Sequence, residues 1–269
     1  MAKKRLDVLL VENDMFESRE KARAAIMAGE IFVEGKKVDK AGMAVEETAE
    51  INFSGKKLPY VSRGGLKLAR AIEVFDLDLA GQTVLDVGAS TGGFTDCALQ
   101  NGAAKVYAVD VGYGQLAWSL RQDARVIVLE KTNARYLSKE MIPEPVDLVT
   151  IDVAFISLDK ILPAIFGLLA PNGKVVALIK PQFEAGKDQV GKKGVVKDPA
   201  IHKTVIEKVV AAAKESGLQS QALTYSPITG PEGNIEYLIL LAKKEALETL
   251  SINKVIEEAW SFLKKDKQK

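Results

Sequence analysis

The sequence predicts an α/β protein built on a mostly parallel, doubly wound sheet, with a small α+β unit in front of it. Three features carry that prediction. From residue 83 apolar runs alternate with helical stretches, which is how parallel strands buried on both faces read. The last two strand-like runs leave no room for a long helix between them, so they form an antiparallel hairpin at one sheet edge. Residues 1–60 differ in texture from the rest, with short helices and tight turns, and divide the chain into a 1–60 domain and a 61–269 domain.

In the first domain, Arg5 to Val11 reads as a short helix with Leu6, Leu9 and Leu10 on one side. Ser18 takes an N-cap position before a second helix, Arg19 to Ala28, which stops at Gly29. Ile31-Phe32-Val33, the turn Glu34-Gly35-Lys36, then Lys37-Val38 and Glu50 to Phe53 predict short strands joined by tight turns. Arg19 and Arg23 stand four apart on one helix, and Lys3, Lys4, Arg5, Lys36 and Lys37 can share a face with them. Such a face grips phosphates, although the same spacing also suits a plain solvated helix. Arg5-Leu-Asp, Ser18-Arg-Glu-Lys-Ala-Arg, Ile26, Gly29 and Ile31-Phe-Val-Glu-Gly together resemble the S4 RNA-binding domain, with Glu34-Gly35 in place of the more frequent Asn-Gly turn. The resemblance implies RNA contacts at Arg5, Arg19 and Arg23, with Arg63 a further candidate just beyond this domain.

In the second domain, Thr83 to Val87, Lys105 to Val111, Arg125 to Leu129, Asp147 to Ile151 and Lys174 to Ile179 are the expected parallel strands. Gln219 to Tyr225 and Ile235 to Ala242 are the closing hairpin, separated by the turn-rich stretch Ser226 to Asn234. That edge resembles a Rossmann-like class I S-adenosylmethionine-dependent methyltransferase sheet rather than a fully parallel dehydrogenase sheet. The tail, Glu245 to Lys269, reads as an amphipathic covering helix with a basic end.

Composition removes several function classes. The chain has 269 residues, a formal net charge of +1, 47% hydrophobic and 27% charged residues, so any nucleic-acid partner is held by a local patch and not by global charge. No apolar run approaches the ~18 residues that a membrane helix needs, and the basic N-terminus has no apolar stretch behind it, so a cytoplasmic protein is expected. A single cysteine, Cys97, and a single histidine, His202, exclude disulfides and a Cys/His zinc site, and no metal is expected. A Ser-His-Asp triad would need His202, which follows Asp198-Pro199 and reads more simply as a surface helix residue.

The densest signal is Asp86-Val-Gly88-Ala89-Ser90-Thr91-Gly92-Gly93-Phe94, between the first of these strands and a helix. Its G-x-x-x-G-G spacing lacks the second glycine of the dinucleotide fingerprint. Asp86 is expected to face the same cleft, where a carboxylate repels a pyrophosphate but favours an ammonium and a sulfonium. Asp110, followed by Val111, ends the next strand and can accept both hydroxyls of an adenosine ribose. Asn133 lies where a polar group can meet an adenine amine. A generic glycine-rich turn is the alternative. The pattern predicts S-adenosylmethionine as the cofactor.

The residues after the fourth strand bear on the acceptor. Asp152-Val-Ala-Phe155 lacks the Asn/Asp-Pro-Pro-aromatic turn of base amine methylation, and Cys97 sits too far behind the reacting face to be the nucleophile of carbon methylation. A hydroxyl acceptor needs neither. Asp152, Lys180 in Ala177-Leu-Ile-Lys-Pro181, Glu236 before the last strand and Lys67 in Ser62-Arg-Gly-Gly-Leu-Lys are expected at one edge of the sheet, the carboxyl end where ligands bind. Singly each has a plain reading: Lys180 solvated, Glu236 in a structural pair.

These segments, with Asp110-Val-Gly-Tyr-Gly-Gln-Leu-Ala-Trp, Thr132-Asn-Ala-Arg, Lys180-Pro-Gln-Phe-Glu and Gly233-Asn-Ile-Glu-Tyr, resemble the TlyA family over nearly the whole chain. That family is described both as hemolysins and as FtsJ-like ribosomal RNA 2′-O-methyltransferases. The resemblance implies a Lys-Asp-Lys-Glu catalytic tetrad at Lys67, Asp152, Lys180 and Glu236. It also implies cytidine ribose acceptors in ribosomal RNA or ribosomal subunits as partners. The junction Leu58-Pro-Tyr-Val61 departs from the more basic linker of some relatives. Two other readings stand beside this one: a membrane-active hemolysin, and a non-catalytic RNA-binding ribosome assembly factor.

Overall fold

The structure, a computed structural model, describes residues 3–13, 15–16, 18–54, 58–230, 232–245 and 249–265. It divides into two compact units, Met1–Leu58 and Pro59–Lys269.

The first unit runs β1 (Lys3–Arg5), α1 (Leu6–Glu12), α2 (Arg19–Met27), β2 (Ile31–Val33), β3 (Lys36–Val38), β4 (Ala44–Glu46) and β5 (Ile51–Phe53). The N-cap of α2 is Ser18, whose hydroxyl accepts from the Lys21 amide at 3.3 Å. Leu6, Leu9 and Leu10 of α1 and Ala22, Ala25 and Ile26 of α2 close over Ile31, Val33, Val38 and Val45 to make a small core. Strand β2 lies between β3 and β5, and Glu34 and Gly35 turn the hairpin with positive φ at both positions, 49° and 71°. A type I′ turn requires that pair of dihedrals, so Glu34 occupies a conformation that Asn or Gly adopts more easily. The pairing of β1 with β4 was not predicted, because neither Lys3-Lys4-Arg5 nor Ala44-Val45-Glu46 alternates in an apolar pattern.

The second unit contains α3 (Gly64–Val74), β6 (Thr83–Val87), α4 (Gly93–Gln100), β7 (Lys105–Val109), α5 (Trp118–Arg121), β8 (Val126–Leu129), β9 (Val146–Ile151), α6 (Leu162–Leu168), β10 (Leu169–Ile179), α7 (Pro181–Glu184), α8 (Pro199–Glu215), β11 (Gln219–Tyr225), β12 (Tyr237–Ala242) and α9 (Ile252–Lys265). Its seven-stranded sheet has the order β11-β12-β10-β9-β6-β7-β8. The pairs among β10, β9, β6, β7 and β8 are parallel, whereas β12 runs antiparallel to both β10 and β11. The expected hairpin is present, with its second strand inserted next to the parallel sheet and its first on the outside.

Alternate residues explain the burial of both faces. Leu85, Val87, Val149, Ile151, Val175 and Ala177 join one core with residues of α6, α8 and α9, while Val84, Val106, Ala108, Leu148 and Val176 join another with residues of α3 and α4. A period of two with apolar residues at every position leaves no face for water. The covering tail is the helix α9; the last residues of its basic end, 266–269, lie outside the described residues.

His202 is not at the surface. It is fully buried in α8, with Nδ1 2.8 Å from the Tyr237 hydroxyl and Nε2 3.0 Å from the Val196 carbonyl oxygen. A carbonyl can only accept, so Nε2 carries the proton and Nδ1 accepts from Tyr237. Burial lowers its pKa, in keeping with a neutral ring that joins α8 to the start of β12.

Candidate active site

A cleft of about 630 Å³ opens at the carboxyl ends of the parallel strands of the second unit. Of the residues expected to bind cofactor, Gly88, Ala89, Ser90, Gly93, Phe94, Asp110, Val111 and Asn133 line it; so do Arg63 and all four tetrad residues, Lys67, Asp152, Lys180 and Glu236.

The loop after β6 is shaped by close approach. Gly88 has φ 85°, and a Cβ there would stand 2.6 Å from the Asp152 carbonyl oxygen. Gly92 does not line the cleft; it caps α4 with φ 99°, and a Cβ would drive into the Leu120 side chain at 2.2 Å. Its part is to admit the helix rather than to touch a ligand.

Asp86 requires a correction. It is fully buried beneath the loop, not facing the cleft, and accepts from the Thr95 hydroxyl at 2.6 Å and the Thr150 hydroxyl at 3.0 Å. Burial pushes its carboxyl up to about 6, against the lowering effect of the two hydroxyls. Nothing in the sequence marks Thr95 and Thr150 as its partners, because they come from α4 and β9.

The loop's amides decide what it can hold. Those of Gly88 and Ala89 donate to the Val109 carbonyl at 2.9 and 3.0 Å, that of Ser90 to Asp110 Oδ2 at 2.8 Å, and that of Gly92 to the Ala89 carbonyl at 2.7 Å. A phosphate cradle needs such N–H groups turned toward the anion, and these are spent within the protein. What the loop presents instead is the Asp110 carboxylate, which also accepts from the Gly112 amide at 2.7 Å and keeps further lone pairs for hydroxyl donors. This donor set fits a cationic nucleoside such as S-adenosylmethionine and does not fit a pyrophosphate. Asn133 Oδ1 accepts from the Arg135 amide at 3.1 Å, capping the turn that follows β8.

The tetrad residues come from four elements and meet. Lys67 of α3 donates to Glu236 Oε2 at 2.8 Å and to Asp152 Oδ2 at 3.5 Å, and Lys180 Nζ lies 2.5 Å from Asp152 Oδ1. Two ammonium groups and two carboxylates thus form an unbroken, charge-balanced chain. Glu236 is only 1% exposed, and Gln182 Nε2 stands 3.5 Å from its Oε1. Burial disfavours the Lys67 ammonium, but the Asp152 and Glu236 carboxylates outweigh it and hold its pKa above the ordinary value.

At the cleft mouth Phe155 is 90% exposed with φ 62°, a left-handed conformation uncommon for a bulky side chain. Its ring packs 4.9 Å from that of Phe183. Gln115 and the Ile228-Thr229-Gly230 segment also line the cleft and were not predicted; a loop lining depends on where the chain returns, which no local pattern records. Cys97 is fully buried, and burial pushes its thiol up to about 11, which rules out an activated nucleophile.

In the first unit, Arg5 and Arg19 are exposed but both lean on the fully buried Asp7: Arg5 Nε and Arg19 Nη2 each lie 3.0 Å from a carboxylate oxygen. The Arg5 guanidinium beside it, against the cost of burial and with help from Arg19, holds the Asp7 carboxyl well below the usual range. Arg23 is exposed one turn beyond Arg19. Lys4 is occupied by Glu12 at 2.9 Å and Glu47 at 3.3 Å, which subtracts it from the basic face.

Comparison with known proteins bears on both units. The FtsJ-like methyltransferase profile matches residues 60–243 and the S4 domain profile matches residues 4–51. The 16S/23S rRNA (cytidine-2′-O)-methyltransferase TlyA of Mycobacterium tuberculosis is 47% identical over 238 residues, covering 88% of this chain and 89% of that protein. A solved structure from Streptococcus thermophilus designated a hemolysin is 45% identical and covers 100% of both chains, with a TM-score of 0.80. One from Listeria monocytogenes, designated an S-adenosylmethionine-dependent methyltransferase, shares the fold at 18% identity and a TM-score of 0.51, covering 68% of this chain and 100% of that one.

Proposed function

We propose that this chain, which belongs to the FtsJ-like methyltransferase family, methylates a ribose 2′-hydroxyl, with a cytidine of ribosomal RNA as acceptor and S-adenosylmethionine as donor. The observation that carries the reading is the Lys180–Asp152–Lys67–Glu236 chain beside the cleft, because a hydroxyl acceptor needs a positioned cation and neither a thiolate nor a base-clamping turn.

When bound, S-adenosylmethionine supplies an electrophilic methyl on a sulfonium. Asp110 would hold the ribose hydroxyls of this donor, with the Gly88–Ser90 loop and Asn133 against the rest of the nucleoside. Asp152 fixes Lys180, and Lys67 fixes Asp152 while it neutralises Glu236. Lys180 Nζ donates to the acceptor oxygen and offsets the negative charge that develops there, while the proton of the methylated hydroxyl leaves to water. Most of the acceleration comes from holding the acceptor oxygen in line, which a charge-balanced and largely buried cluster does without reorganisation. The S4 domain supports an RNA substrate, its Arg5, Arg19 and Arg23 serving as phosphate contacts with Arg63 at the cleft. Among the described residues no helix is long and apolar enough to cross a membrane, so the hemolysin designation of relatives finds no support there.

The test is transfer of tritiated methyl from S-adenosylmethionine to ribosomal subunits and to naked ribosomal RNA, with the product mapped by resistance of the 2′-O-methylated linkage to alkali. Lys180→Ala is expected to abolish transfer and to leave cofactor binding, measured by calorimetry, nearly intact. Unchanged turnover removes Lys180 from the mechanism, and a wild-type chain that labels neither substrate refutes the reading.

A further inference from the structure

The two strands that deliver Asp152 and Lys180 stop holding one another just before they reach the site. The parallel ladder between β9 and β10 ends at Ile151 and Ala177. Beyond it the backbones are tied to opposite neighbours: the Asp152 amide donates to the Val87 carbonyl of β6 at 2.9 Å, and Ile179 pairs with Tyr237 of β12. Backbone pairing thus leaves the spacing between Asp152 and Lys180 unset.

A side chain spans that gap. Glu184, the last residue of α7 and four positions after Lys180, is 6% exposed and reaches back to the segment that follows Asp152. Its Oε1 accepts from the Leu158 amide at 2.7 Å and its Oε2 accepts from the Ser157 hydroxyl. Behind it, Lys208 of α8 donates to the Glu184 carbonyl at 2.9 Å and places its ammonium 3.8 Å from Oε2, so the carboxylate is satisfied on every side. The segment it grips carries Phe155, whose ring packs on Phe183 of α7 at the same junction. A buried carboxylate costs more to desolvate than a glutamine of equal size, and both hydrogen bonds its oxygens accept here come from one neighbouring loop.

We propose that Glu184 is a positioning residue for methyl transfer: by clamping the Ser157–Leu158 turn to α7 it sets the separation of Asp152 and Lys180 and hence the placement of the acceptor oxygen. It does not line the cleft. The inference rests on the methyltransferase reading given above. It assigns Glu184 a role distinct from that of the tetrad, since displacement of a catalytic group by about 1 Å is enough to cost on the order of 100-fold in rate.

The experiment compares the full-length wild-type chain with Glu184→Ala, Glu184→Gln, Ser157→Ala and the Ser157→Ala/Glu184→Ala pair. Methyl transfer to ribosomal RNA is measured with kcat expressed per cofactor-binding site titrated by calorimetry, so that misfolded protein does not count. Glu184→Ala is expected to lower kcat per site about 10- to 100-fold with the KM for RNA and the cofactor Kd within about 3-fold of wild type. Glu184→Gln, which can still accept from Leu158 and donate to Ser157, is expected to recover most of that loss. The double variant is expected to be no slower than Glu184→Ala alone, because both changes remove the same clamp. Wild-type kcat per site in Glu184→Ala, a loss confined to thermal stability, or additive losses in the double variant each overturn the proposal. An inactive wild-type chain instead overturns the methyltransferase reading.

Discussion

Replacing Lys67 by Met offers a sharp test of the tetrad's electrostatics, because it strands a carboxylate that water cannot reach. Glu236 is 1% exposed and takes its close contact of 2.8 Å from Lys67, with Gln182 Nε2 farther off at 3.5 Å. Removing one partner of a buried pair costs about 3–5 kcal/mol. For a unit of this size that amounts to a fall in Tm of roughly 10 °C. Both tryptophans, Trp118 and Trp260, lie in the second unit, so their fluorescence during urea denaturation reports its unfolding separately from that of the first. Glu236→Gln should cost less, because Lys67 keeps Asp152 at 3.5 Å and the glutamine carbonyl oxygen can still accept from it. The Lys67→Met/Glu236→Gln double variant should be more stable than the sum of the two losses implies, since no lone buried charge remains. Strictly additive losses would refute the account of Glu236 as a desolvated anion held by Lys67.

Asp86→Asn should flatten the pH profile of stability: with the native carboxyl raised to about 6, the folded wild type binds the extra proton between that pH and about 4, so its deficit relative to Asn narrows as pH drops from 7 to 4 in equilibrium denaturation. Gly88→Ala puts a methyl against the Asp152 carbonyl oxygen at 2.6 Å in a left-handed backbone, and should weaken cofactor binding by calorimetry at least 10-fold while destabilising the second unit by about 1–3 kcal/mol. Arg19→Ala should weaken RNA binding evenly across sequences and reduce the slope of log affinity against log salt by about 1; an unchanged slope would remove Arg19 from the phosphate contacts.

The parallel strands were legible because a parallel sheet covered on both faces demands apolar runs, and Thr83–Val87 begins and ends where the pattern does; the antiparallel edge strand Gln219–Tyr225 was legible instead from the hairpin signal. Three members of the tetrad were legible near strand ends and Lys67 on the helix before the first parallel strand, with the assembly drawn from family resemblance. The partners of buried polar groups were not legible. Asp86 bonds to Thr150, 64 residues away, and His202 to Tyr237, 35 residues away; in each case the sequence shows a polar residue, and only the packed neighbours decide whether it faces water. For the same reason Asp86 was expected in the cleft and His202 on the surface. Glu184 was visible only as the end of Lys180-Pro-Gln-Phe-Glu, with nothing to indicate that its carboxylate turns back toward Ser157.

The insertion of β12 between β10 and β11 bears on how the chain matures as it leaves the ribosome. Until residue 242 has emerged, β11 has no strand to join and β10 shows a bare apolar flank, since each pairs there with β12 alone. The same late segment is preceded by Glu236, so a nascent or C-terminally clipped chain lacks both sheet closure and the fourth member of the tetrad. Competence for chemistry and burial of the open flank of β10 are therefore one event, which waits on the emergence of residue 242.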